Sequence, residues 1–108
     1  MNTKNTELAT AELVAAYAVA ADEYVASRID AFKAWDAVRS GAISAAYNLA
    51  ILTERAGTTA FEKASDVALR GILNKAHADF TAAYAAADAA RDAAYVAANA
   101  AYVAAVSV

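Results

Sequence analysis

The chain has 108 residues, a net charge of −3, 61% hydrophobic letters, three glycines and neither proline nor cysteine. That is one domain's length, too apolar for a disordered chain and too poor in turn residues for a β protein. The acidic balance excludes the basic footprint of a nucleic-acid binder, and the missing cysteines exclude disulfide frameworks, thiolate metal sites and thiol catalysis. Alanine, at 36 residues, supplies over half of the apolar content. It is the best helix former and is depleted in strands, so an all-α fold is expected.

The opening MNTKNTELAT is polar and has no apolar h-region, which reads as a cytoplasmic chain without a secretory signal. Asn5 and Thr6 are candidate caps for a first helix, with Glu7 favourable in its first turn. The polar stripe Glu23, Ser27, Asp30, Lys33, Asp36, Ser40, Ser44 and Asn48 keeps helical spacing through Gly41. A straight or kinked passage is therefore expected there; the alternative is a break near Gly41 that gives three helices. The clearest stop is Arg55-Ala56-Gly57-Thr58-Thr59. Gly57 suits a left-handed helix end, Arg55 complements the dipole of the last turn, and Thr59 with Glu62 has capping-box spacing. The sequence thus predicts a single domain over 1–108, with helices over about 6–55 and 59–105 joined by a turn at 56–59. This is a long antiparallel two-helix hairpin in which residue i faces roughly 115 − i.

In the second helix, positions 83, 87, 90, 94, 97, 101 and 104 are all alanine. This 4-3 spacing predicts an Ala-rich, coiled-coil-like seam facing Phe32, Arg28, Val25, Ala21, Ala18, Val14 and Ala11. Nearer the turn, Phe61, Leu69, Ile72, Leu73 and Phe80 are expected to meet Ile43, Tyr47, Leu49, Ile51 and Leu52 as a bulky core. Gly41 and Gly71 fall at one level, where a close backbone approach is expected. Tyr84, Asp88, Arg91, Tyr95 and Tyr102 lie one residue past seam alanines, hence turned about 100° from the partner helix. Tyr84, Tyr95 and Tyr102, with Val96 and Val103, form the candidate interface, and a homo-oligomer, a dimer above all, is the expected assembly.

The longest uncharged run, Ala93 to Val108, has sixteen residues and is mostly alanine. It falls short of the roughly 20 residues a spanning helix needs, so no transmembrane segment is expected. The Ala/Tyr/Asp tract from Tyr84 to Val103 resembles small alanine-rich helical proteins of tailed phages, over about residues 82–105. The resemblance is compositional and carries no functional residue; it implies, as an alternative role, an inhibitor or adaptor that binds a host protein or a small ligand. A second alternative is the secreted helical-hairpin family with a Trp-x-Gly turn and a later Tyr-x-x-x-Asp/Glu signal. Tyr84 with Asp88 is similar to the second motif, but Trp35 is followed by Asp36-Ala37, so the first is missing.

Catalytic constellations are scarce. His77 is the single histidine, and its helical neighbours Leu73 and Thr81 supply no metal-ligand spacing. The hairpin register brings Trp35, Asp36 and Arg39 towards Lys75, His77 and Asp79, which makes these six residues the candidate small binding site. The serines have no nucleophile-elbow context and the scattered glycines form no phosphate loop, so neither an enzyme nor a cofactor is expected. The expected role is that of a non-enzymatic structural or interaction protein acting through its helix surfaces.

Overall fold

The computed structural model describes residues 3–56 and 59–107. Helix α1 spans Thr3–Ala56 and α2 spans Thr59–Val106. The two pack as an antiparallel hairpin, and no strand occurs among the described residues. Alanine in one position of three, with no proline to interrupt either helix, accounts for their length.

α1 runs through Gly41 without a break, so the third helix is not needed. It also begins earlier than the capping residues suggest. Thr6 lies inside the helix, its carbonyl accepting a 2.8 Å bond from the Thr10 hydroxyl, so Asn5 and Thr6 are not the cap. Thr3-Lys4-Asn5 are themselves helical, which places Asn5 and Thr6 within the first turns of α1. At the other end, the Ser107 N–H (3.1 Å) and hydroxyl (2.6 Å) both donate to the Val103 carbonyl. α1 ends at Ala56 and α2 begins at Thr59; Gly57 and Thr58 of the expected turn, with the side chains of Arg55, Phe61 and Glu62, lie outside the described residues.

The chain divides into two compact units, Met1–Ile29 with Tyr84–Val108, and Asp30–Ala83. In the first, Tyr17 packs on Tyr95 with ring centroids 4.7 Å apart, and Arg91 lies 4.3 Å over the Tyr24 ring. In the second, Trp35 packs on Phe80 at 5.5 Å. Within each unit these pairs fall within three residues of the 115 − i register.

The rotation of the helices differs from expectation. Ala9, Ala20 and Ala87 are buried in the first unit, and Tyr17, Tyr24, Tyr84, Arg91, Tyr95 and Tyr102 are half-buried beside them. Of the seven seam alanines only Ala87 and Ala94 face inward, while 83, 90, 97, 101 and 104 are exposed. Val14, Val25 and Phe32, expected opposite them, are exposed as well. Two helices bury one stripe each, and long tyrosine and arginine side chains cover more partner surface than methyl groups do. They therefore take the stripe.

In the second unit Ala42 and Ala76 are buried, with Trp35, Leu49, Leu69, Leu73 and Phe80 half-buried. The expected bulky core is only partly formed, since Ile43, Tyr47, Ile51, Leu52 and Ile72 remain exposed. Nor do the glycines mark a close approach, because a Cβ added at Gly41 or Gly71 would have nothing within 4 Å. Both sit in helix interiors, where glycine carries only its conformational cost. Gly41→Ala and Gly71→Ala are each expected to stabilise the protein by about 0.5–1 kcal/mol, read as a higher urea midpoint. A lower midpoint would mean that the backbones do meet there.

Candidate interaction surface

The side chains with most chemistry are concentrated in the seam of the first unit. Arg28 lies 5.3 Å over the Tyr24 ring and 4.7 Å over the Tyr84 ring, while Arg91 sits over Tyr24. One tyrosine thus receives guanidinium groups from both helices, a cation–π arrangement favoured by arginine's planar, weakly hydrated head. The Arg28 pKa is raised above its ordinary value, chiefly by hydrogen bonding to Tyr84 and then by attraction to Tyr24. For Arg91, desolvation acts downward, but the hydrogen bond to Asp92, the electrostatic attraction of Tyr24 and the carboxylates of Asp92 and Asp88 outweigh it and the pKa is raised. Both guanidinium groups remain charged at any working pH, so this cluster is a fixed structural element and not a proton carrier.

Arg91 also lies 3.9 Å from Asp88 and 3.3 Å from Asp92, one cation shared between two carboxylates of α2. Tyr17 donates a 2.6 Å bond from its hydroxyl to Asn99 Oδ1, across the hairpin. The expectation that Tyr84, Arg91, Tyr95 and Tyr102 are turned away from the partner helix is therefore overturned for this unit. Val96 and Val103 do stand clear of the seam, at 69% and 58% exposure. On each helix the signal for the true seam was the seven-residue spacing of large amphipathic residues: Tyr17 with Tyr24, Tyr84 with Arg91, Tyr95 with Tyr102.

The candidate small binding site in the second unit resolves into local pairs. Arg39 donates to Asp36 at 2.7 Å and lies 4.9 Å over the Trp35 ring. Lys75 donates to Asp79 at 3.1 Å. His77 is exposed, and its backbone carbonyl accepts from the Thr81 hydroxyl at 2.9 Å. Trp35 instead packs between Phe32, at 5.9 Å, and Phe80. These are helix-surface ion pairs at i,i+3 and i,i+4 beside an aromatic cluster, and such exposed pairs contribute little individually.

No group of three or more potential metal-ligating side chains occurs among the described residues. A groove of about 220 Å³ is lined by Ala9, Glu12, Leu13, Ala16, Ala98 and Tyr102 among others, and offers mainly apolar groups with one carboxylate and one phenol. No helix among the described residues is long and apolar enough to cross a membrane.

Comparison with protein-family models, curated proteins and solved structures gives no match to this chain. The functional reading therefore rests on the surfaces themselves.

Proposed function

We infer that this chain is a non-enzymatic interaction protein that works through its helix surfaces and assembles with copies of itself. One observation carries the reading: the buried apolar residues among those described are five alanines, while fifteen large hydrophobic side chains stand exposed. Monomeric proteins rarely leave so much apolar surface in water, and an alanine core offsets little of the entropy lost in ordering two long helices. α1 carries apolar side chains well outside its seam, a pattern belonging to helices covered on more than one side. Two-fold assembly is the commonest way for a soluble chain to obtain such cover.

Sedimentation at micromolar concentration tests the reading. An assembly of two or more chains is expected. A homogeneous species at the chain mass of 11.1 kDa would overturn it.

A further inference from the structure

Six tyrosines are spread through a chain that holds no cysteine. Two of them, Tyr17 of α1 and Tyr95 of α2, meet across the seam of the first unit. Their ring centroids are 4.7 Å apart and their planes are inclined by 58°. That is close to the lower limit of about 4.5 Å for aromatic pairs, so the rings are in van der Waals contact. Asn99, one helical turn beyond Tyr95, accepts a 2.6 Å bond from the Tyr17 hydroxyl. This bond holds the hydroxyl-bearing half of the Tyr17 ring close to the level of Tyr95. Both residues are half-buried, so the seam orders their contact and still leaves it open to a small solute.

A phenol that loses one electron and one proton becomes a neutral phenoxyl radical. Its unpaired spin is shared between the oxygen and the ring carbons on either side of the C–O bond. Two such radicals in contact couple through those carbons, Cε to Cε, and the hydrogen on each joined carbon then moves to its own oxygen. One carbon–carbon bond thus replaces two ring C–H bonds, both phenols are restored, and two electrons and two protons leave the pair. A peroxide completes the balance: hydrogen peroxide takes up both, its O–O bond breaking to give two waters. The neighbouring tyrosines are less favourably placed. Arg28 lies over the rings of Tyr24 and Tyr84, and Arg91 over Tyr24, and a guanidinium charge opposes removal of an electron from the ring beneath it. Tyr47 belongs to the second unit and is 69% exposed.

We propose that Tyr17 and Tyr95 form an oxidative modification site, at which a peroxide joins them through an intrachain dityrosine bond that fastens α1 to α2. The bond closes the chain between residues 17 and 95. It does so in a fold whose buried apolar residues, among those described, are alanines and which has no cysteine to staple it. The proposal is independent of self-association, because its product keeps the mass of one chain.

Photosensitised persulfate, a peroxide that accepts the same two electrons and leaves the protons to the buffer, tests this at low conversion. The unaltered chain is expected to acquire dityrosine fluorescence at the mass of a single chain less two hydrogen atoms. After trypsin, the bond is expected to join fragment 5–28 to fragment 92–108 through Tyr17 and Tyr95. Tyr17→Phe and Tyr95→Phe keep a packed ring but have no phenol to oxidise, so each is expected to lose the single-chain product while keeping full helicity. Tyr47→Phe and Tyr102→Phe are expected to retain it. The oxidised chain is also expected to unfold at a higher urea concentration than the unoxidised one, a shift that Tyr17→Phe removes. Three results would overturn the proposal: a product found only between two chains, a single-chain product that persists in Tyr17→Phe, or no dityrosine while free tyrosine in the same solution couples.

Discussion

Leucine in place of Ala20 or Ala87 is expected to destabilise the hairpin by about 1–3 kcal/mol, because three extra carbon atoms must enter a seam already closed around a methyl group. Ala20 is 4% exposed and Ala87 7%, the tightest places in the first unit together with Ala9. Ala90→Leu and Ala97→Leu make the comparison decisive. Both positions carry the same residue on the same helix but are exposed, and exposed substitutions of this kind change stability by less than about 0.5 kcal/mol. Urea unfolding followed by helix circular dichroism separates the two groups. Equal losses at Ala87 and Ala90 would show that the helix faces its partner at a different rotation.

Trp35→Ala is the second large expected effect, at about 2–3 kcal/mol. The indole is half-buried, packs at a tilt between Phe32 and Phe80 with centroids 5.9 and 5.5 Å away, and carries Arg39 over its ring. Removing a fully buried aromatic typically costs about 3–5 kcal/mol, and partial exposure brings the figure down. Trp35→Phe is expected to recover most of the loss, since a phenyl ring keeps an aromatic face between the two phenylalanines and gives up part of the cation–π attraction. If Trp35→Ala unfolds at the same urea concentration as the unaltered chain, the aromatic cluster contributes nothing to the second unit.

Val96 and Val103, grouped on the sequence with three tyrosines, are exposed, whereas those tyrosines fill the seam. The error has a physical source. Between residues 82 and 105 alanine is so frequent that several alanine stripes of helical period coexist, and none marks a particular face. The information lies in the residues that are not alanine. Tyrosine and arginine, usually read as surface residues, combine a large apolar body with a polar tip, so on a narrow two-helix contact they serve as core.

The small binding site proposed around His77 shows the same limit. Register brings Trp35 to Phe80, but on a helix surface the nearest opposite charge is usually three or four residues away, and Arg39 and Lys75 found theirs in Asp36 and Asp79.

From sequence alone, the all-α class, the two-helix count, the break after Ala56 and the antiparallel register followed directly. Each depends on local preferences: alanine content, the absence of proline, and one stretch where capping residues flank a glycine. Once the turn is placed, chain length determines which residues share a level. The rotation of each helix about its axis is a different kind of quantity. It is decided by competition among faces for one partner, and with apolar residues on several faces of α1 that competition is settled only when side chains of real size are packed together. The tertiary structure alone decided that tyrosines and arginines line the first unit's seam, that Gly41 and Gly71 stand in open space, and that a row of valines is left facing water.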